Sequence, residues 1–360
     1  MKFEFEKIKN MNKRDRIIAL AVCSVIFFTV LIIALVTASG STPEESAPTA
    51  ETKSTGEVTA PPPSASITPA APVSTPARPV NRYKRPDAPS SYGEFDFSTV
   101  RPLPDILARQ KFKAGILVDL TNRKVLWEKN STVTVPIASM SKLMTIYTAF
   151  EEMGSSNGIT PSTRVTASNA CAAVGKVKIN LKPGEKYTLH ELFIYAMLPS
   201  ANDAAFLIAE YFGYGDSRNF IEKMNLKARE IGMNSASFVN ANGLPIYNTD
   251  RNIPPRMNVA SCLDMVKLIE RIYEYPLILR YTSSAQAKTR FGTIKNSNQL
   301  LAKIEGMEGM KTGYTQAAGH CLAFSCTING RRYVGVLTGF DNRQTCFNFA
   351  RRLLGWGIRN

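Results

Sequence analysis

Hydrophobic positions change rhythm along the chain. Ile17 to Ala38 is a run of 22 uncharged, mostly apolar residues. As a helix rising about 1.5 Å per residue it covers roughly 33 Å, enough to cross a bilayer core of about 30 Å. Residues 39–97 carry no period; 11 of the 21 prolines fall within 39–90, among Ser, Thr, Ala and Glu, and include Pro61-Pro62-Pro63. That composition predicts an extended, disordered linker. From about residue 98 the pattern becomes periodic. Residues 113–119 and 124–128 flank Thr121-Asn122 and predict a β-hairpin. Leu143, Ile146, Tyr147 and Phe150 keep helical spacing and predict a helix over 139–153. Further helices fit 189–198, 201–212, 217–231 and 260–273. Strands are predicted over 308–314, 320–328 and 331–338, with Asn329-Gly330 as a tight turn. A last helix, 343–354, is expected to end at Gly355-Trp356-Gly357. Strands at both ends with helices between predict one α/β domain whose sheet is closed by both termini.

Charge adds orientation. Residues 1–16 hold six basic and three acidic side chains, which predicts a cytoplasmic tail before a transmembrane anchor at 17–38. A cleaved signal peptide ending near Val36-Thr37-Ala38 is the competing reading, but 22 residues exceed the usual apolar core of about 7–15. The linker at 39–97 then holds a folded domain, 98–360, outside the cytoplasm. Of the net charge of +15, this domain supplies most, with 33 basic and 19 acidic residues. The basic residues are scattered singly, without a Lys/Arg tract. This argues for a solvated surface or attraction to an anionic envelope polymer, and against nucleic acid.

Composition also narrows the chemistry. The chain has two histidines, His190 and His320, with no H-E-x-x-H spacing. This argues against a His-rich zinc site, and a serine–histidine mechanism has little to draw on. Five cysteines (171, 262, 321, 326, 346) lie in the domain, so they cannot all pair with one another. Cys321 and Cys326 share a predicted strand about 16 Å apart, beyond the roughly 7 Å limit for a bridge.

Gly154-Ser155-Ser156-Asn157-Gly158 matches a G-x-S-x-G nucleophile elbow in letters only, because a helix precedes it where a strand is required. Ser139-Met140-Ser141-Lys142 is the one Ser-x-x-Lys in the chain, and Pro136 stands just ahead of it. On a helix, positions three apart share a face, so Lys142 can reach the Ser139 oxygen. Alone, the tetrapeptide is equally an exposed lysine near an N-cap serine. Ser200-Ala201-Asn202 follows between two apolar helices, and Lys311-Thr312-Gly313, the one Lys-Thr-Gly, lies in a predicted strand. Lysine and threonine there offer a cation and a hydroxyl to a carboxylate, and glycine lets a ligand backbone approach.

Ser-x-x-Lys, Ser-x-Asn and Lys-Thr-Gly, in this order, are the set shared by penicillin-binding proteins and class A β-lactamases. PIASMSKLMT, LKPGEKYTLHELFIYAMLPSANDAA, MKTGYTQAAGH and LLGWG extend the match. Over about residues 110–357 the sequence closely resembles the D-alanyl-D-alanine carboxypeptidases, the low-molecular-mass penicillin-binding proteins. The resemblance implies a β-lactamase/penicillin-binding-protein-like α/β domain with an antiparallel sheet and a helical cluster. It implies acyl transfer on peptidoglycan stem peptides ending in D-Ala-D-Ala, with no cofactor and with β-lactams as covalent inhibitors. Ser139 is then the nucleophile and Lys142 its base. Lowering a lysine from about 10.4 to about 7 costs roughly 4 kcal/mol, and burial and Lys311 both push that way. Ser200 and Asn202 relay protons and hold the substrate amide, Lys311 and Thr312 receive the carboxylate, and the N–H groups of Ser139 and Tyr314 form the oxyanion hole.

The sequence departs from the family pattern in three places. Larger members add a β-rich C-terminal domain and an amphipathic membrane helix, whereas this sequence stops 47 residues after Gly313. Shorter relatives include D,D-endopeptidases acting on cross-links. The family's carboxylate-binding arginine near the last helix is matched by Arg343, although Cys346 occupies a competing register. Asn242 stands where the family usually has His before Gly-Leu. The two histidines are expected to have ordinary structural or surface roles. A β-lactamase lacks its deacylating Glu arrangement here. A non-catalytic wall-binding or β-lactam-sensing protein is opposed by the intact Ser139, Lys142, Asn202 and Lys311.

Overall fold

The computed structural model describes residues 81–156 and 158–360. The tail, the apolar run 17–38 and the linker up to residue 80 lie outside the described residues; among those described, no helix is long and apolar enough to cross a membrane.

The chain opens with a four-residue helix, α1 (Asp105–Ala108), then the hairpin β1 (Ala114–Asp119) and β2 (Lys124–Lys129). A short β3 (Val135–Pro136) leads into a 3₁₀ turn, Ala138–Ser141, and α2 (Lys142–Ser155). The two-stranded pair β4 (Arg164–Thr166) and β5 (Lys186–Thr188) brackets α3 (Asn169–Ala173). Next come α4 (Leu189–Met197), α5 (Asn202–Phe212) and α6 (Ser217–Glu230), then β6 (Val259–Ala260), which pairs with β3. After α7 (Cys262–Ile272), α8 (Pro276–Ser283) and the hairpin β7 (Gln286–Thr289)–β8 (Gly292–Lys295) come the long strands β9 (Met307–Thr315), β10 (Gly319–Ile328) and β11 (Arg331–Phe340). Helix α9 (Arg343–Arg359) closes the chain. Sequence reading missed α3, α8 and the β4–β5 and β7–β8 pairs, which are short elements with little room to show a period.

Five strands form one antiparallel sheet in the order β2-β1-β11-β10-β9. The first strand therefore pairs with the last, while β2 and β9 remain as edges. Alternation along the strands sends Ile116, Val118, Ala323, Val334 and Val336 to the helical cluster. Leu117, Leu322, Phe324, Tyr333 and Leu337 face the opposite layer, where α9 packs. Period two thus gives a sheet covered on both faces. Capping boxes start α4 (Thr188 with Glu191) and α7 (Ser261 with Asp264), each satisfying orphan N–H groups of the first turn. Asn329 and Gly330 both adopt positive φ, 50° and 73°, as a tight two-residue turn between β10 and β11 requires.

Two expectations change. Helix α9 does not stop at Gly355-Trp356-Gly357 but runs through to Arg359. Trp356 is buried, and a Cβ on Gly357 would lie 2.5 Å from a Leu117 methyl, so close packing outweighs glycine's weak helix propensity. Secondly, residues 81–97, assigned to the linker by composition, lie against the domain. Asn81 donates to the Phe150 carbonyl and to the Tyr275 hydroxyl, Tyr83 packs edge-on against Phe150, and Phe95 is buried. Gly154 is the reason Asn81 fits, since a Cβ there would overlap its side chain. The five cysteines at 171, 262, 321, 326 and 346 are all free and buried.

Candidate active site

The 3₁₀ turn Ala138–Ser141 and α2 form one continuous helical segment with Ser139 in its first turn. Backbone N–H groups there have no intrahelical acceptor, so the segment presents donors where Ser139 stands. Ala138, just ahead, adopts φ 48°, a left-handed conformation that costs a non-glycine residue of order 1 kcal/mol or more. Two glycines crowd the same backbone. A Cβ on Gly243 would lie 2.1 Å from the Ala138 oxygen, and one on Gly313 would lie 3.1 Å from the Ser139 nitrogen. The glycine of Lys-Thr-Gly thus admits the protein's own chain; the sequence reading had reserved that space for a ligand.

Ser139 and Lys142 share a helical face, and Lys142 Nζ lies 3.0 Å from Ser139 Oγ. Lys142 is fully buried. It donates to Asn202 Oδ1 at 2.8 Å and to the Asn242 carbonyl at 2.6 Å. A neutral amine has two N–H groups and one lone pair; those two shorter contacts use the N–H groups and leave the lone pair for the serine hydroxyl. Burial, and secondarily the Lys311 charge, hold this amine well below its ordinary value, against a weaker opposing pull from Asp203.

Asn202 opens α5, with Ser200 two residues before it at φ 71°. The buried Ser200 Oγ has no hydrogen-bond partner among the described residues. The Asp203 carboxylate accepts the N–H groups of Ile179 and Leu181, and so ties the loop before β5 to the start of α5. Asn242 sits in a loop shaped by asparagines: Asn258 donates to the Asn240 carbonyl, and the Asn240 side chain accepts from Gly243 N–H. That network places the Asn242 carbonyl over Lys142 and Ser139. Sequence reasoning flagged Asn242 for its side chain, whereas its main-chain oxygen makes these contacts.

Across the cleft, Lys311, Thr312, Gly313 and Tyr314 lie on edge strand β9. Lys311 is buried, and that burial, with the Arg343 charge, lowers it to about 7. Thr312 Oγ1 is 2.7 Å from Ser297 Oγ, and Arg343 donates to the Ser297 carbonyl at 2.6 Å. Ser297 is a member the sequence gave no reason to single out, because it lies in a loop without a motif. Tyr314 is 59% exposed and stacks on His320, ring centroids 4.4 Å apart. His320, expected in an ordinary structural or surface role, lines the cleft, while His190 hydrogen-bonds to Tyr281 as a structural residue. Ser139, Ser200, Asn202, Thr312, Gly313, Tyr314 and Arg343 all border one cleft of about 1160 Å³. A serine, an amine poised to take its proton and a cationic far wall equip it for nucleophilic acyl transfer to an anionic substrate. Among the described residues no group of His, Cys, Asp or Glu side chains could hold a metal ion.

Comparison with known proteins gives the family and the fold. Residues 102–342 match the family model for D-alanyl-D-alanine carboxypeptidase. The chain is 31% identical over 257 residues to the D-alanyl-D-alanine carboxypeptidase DacF of Bacillus subtilis, covering 70% of this chain and 62% of the relative. It thus spans less than two thirds of that relative. It is 28% identical to a D-alanyl-D-alanine endopeptidase of Escherichia coli, covering 75% of this chain and 84% of that one. Among solved structures, the D-alanyl-D-alanine carboxypeptidase of Mycobacterium tuberculosis H37Rv superimposes with TM-score 0.64 at 25% identity, over 74% of this chain and 97% of that one. Ampicillin-bound penicillin-binding protein D2 of Listeria monocytogenes gives 0.62 at 25% identity, over 72% and 100%. The α/β fold is therefore that of the penicillin-binding proteins.

Proposed function

The chain belongs to the D-alanyl-D-alanine carboxypeptidase family, and on that premise we propose that it removes the terminal D-Ala from peptidoglycan stem peptides through an acyl-enzyme on Ser139. The observation that carries this reading is the buried Lys142 amine, 3.0 Å from Ser139 Oγ and held well below its ordinary pKa. Lys142 takes the Ser139 proton as the oxygen attacks the penultimate carbonyl. The developing oxyanion meets the N–H groups of Ser139 and Tyr314, the second drawn from the unpaired row of edge strand β9. Lys142 and Ser200 return the proton to the departing D-Ala nitrogen, while Asn202 holds the substrate amide. Lys311, Thr312 and Arg343 receive the terminal carboxylate, and water then hydrolyses the ester. A β-lactam acylates the same serine.

The test is incubation of the protein with a fluorescent penicillin and with a D-Ala-D-Ala pentapeptide. Covalent labelling that disappears in Ser139→Ala, together with D-Ala release, is the expected result; absence of labelling sinks the nucleophile assignment. Likeness to proteins named endopeptidases supports a second reading, hydrolysis of cross-links. Labelling with muropeptide cleavage but without D-Ala release would select it. The 22-residue apolar run and the basic residues before it support a single-pass anchor at 17–38 that holds 98–360 outside the cytoplasm. Protease added to intact cells is expected to remove the domain and spare the tail.

A further inference from the structure

Thr312 and Arg343 line the cleft, and Lys311 is buried next to Thr312 on the same strand. The same cleft is also lined by Lys176, Val177, Leu244, Pro245, Tyr247 and Met257. None of the described residues lining the cleft is Asp or Glu. Lys176 is exposed and makes no ion pair with any described residue. Its backbone is fixed from both sides. Asn202 Nδ2 donates to the Gly175 carbonyl at 3.2 Å, and Asn202 N–H donates to the Val177 carbonyl at 2.8 Å. Two residues further on, Ile179 N–H is held by Asp203. Lys176 itself adopts φ 67°, a left-handed conformation that a lysine takes only where its neighbours impose it. The same Asn202 that contacts Lys142 thus presents an unpaired ammonium at the rim of a cleft that is also lined by apolar side chains.

A peptide whose C-terminal carboxylate is held near Lys311 and Thr312 and whose penultimate carbonyl lies at Ser139 has its preceding residue left to meet the rest of the cleft lining. A long side chain there can cover its methylenes with Leu244, Pro245 and Met257 and bring its far end to Lys176. An ammonium at that end would meet a like charge and no carboxylate; a carboxylate would meet a partner. We propose that Lys176 selects stem peptides whose residue before D-Ala-D-Ala bears a free carboxylate at the far end of its side chain, as a diaminodicarboxylic acid does, over those with lysine. This rests on the acyl-transfer reading of the cleft.

The experiment uses the full chain and the rate of fluorescent-penicillin labelling, slowed by competing pentapeptides. Three peptides differ at one residue only: lysine, diaminopimelic acid, and diaminopimelic acid amidated on its distal carboxylate. The free acid, which keeps the ammonium that lysine has and adds a carboxylate, is expected to halve labelling at about threefold lower concentration than lysine, the scale of one added attraction at an exposed charge, with the amide grouping with lysine. Lys176→Gln narrows the gap to about twofold or less, Lys176→Arg keeps it, and Lys176→Glu reverses it. Salt shrinks it in the wild type. Equal potency of the three peptides in the wild type overturns the proposal without any variant, as does a gap that survives in Lys176→Glu. Absence of labelling would overturn the acyl-transfer reading and this inference with it; labelling with equal potencies overturns this inference alone.

Discussion

Behind the helical cluster, Glu270 and Glu274 are buried beside cations: Arg123 pairs with Glu270, and Lys84 and Arg271 hold Glu274 at 2.6 and 2.8 Å. At the cleft, Lys142 and Lys311 are buried just as deeply, but neutral oxygens are their hydrogen-bond partners. The first cluster fastens the incoming chain, since Lys84 and the Arg85 N–H both contact Glu274 and Arg123 lies over the Phe95 ring. The second stores a cost. A lysine lowered from 10.5 to about 7 carries a penalty on the order of 5 kcal/mol while it stays protonated. Paired burial gives an inert fastening; burial without a carboxylate partner lowers both amines, and in Lys142 it favours the neutral form that a general base needs.

The sharpest way to break this contrast is Lys142→Met, which keeps volume and removes the base. Penicillin acylation is expected to fall about 10²–10⁴-fold with no loss of folding, measured by stopped-flow labelling and thermal denaturation. Glu274→Ala should do the reverse. It leaves Lys84 and Arg271 without their carboxylate and costs about 3–5 kcal/mol in chemical denaturation, while the folded fraction still labels normally. Lys311→Met should stabilise the protein by about 1–4 kcal/mol at pH 7 while abolishing peptide binding. The sign follows from linkage. Lys311 binds its proton more weakly folded than unfolded, so the wild type loses stability as pH falls from 10.5 towards about 7. The gain from Met should therefore be full below about 7 and vanish near 10.5. The smallest effect concerns pH–rate profiles. kcat/KM should rise as Lys142 loses its proton and fall above about 7 as Lys311 loses the charge that holds the carboxylate. Arg343→Ala, which removes a repelling cation, should move that falling limb to higher pH; a limb that stays in place would detach Lys311 from it.

Much of this arrangement could be read from the sequence, for definite reasons. Ser139 and Lys142 share a helix face, so spacing allows their contact, and the Ser-x-Asn and Lys-Thr-Gly triplets that follow make it a site. The amphipathic runs over α4 to α7 and the strands around Asn329-Gly330 were legible because each is long enough to show its period. The Asn242 carbonyl was not, since a main-chain acceptor has no signature of its own. Residues 81–97 look like linker because they continue the proline-bearing stretch without a helix or strand period, yet Asn81, Tyr83 and Phe95 suffice to dock them. Lys176 looked like one more scattered cation until the fold tied it to Asn202.

The absence of side chains at Gly243 and Gly313 has a further consequence. Three stretches far apart in sequence meet around Ser139 with no spare methyl's width between them. The serine's coordinates are therefore inherited from the sheet edge and the asparagine loop rather than from the turn that carries it. A displacement of a few tenths of an ångström in β9 would pass directly to the attacking oxygen. Random mutagenesis would score these two glycines as intolerant positions, although neither contributes a side chain to bond making or breaking.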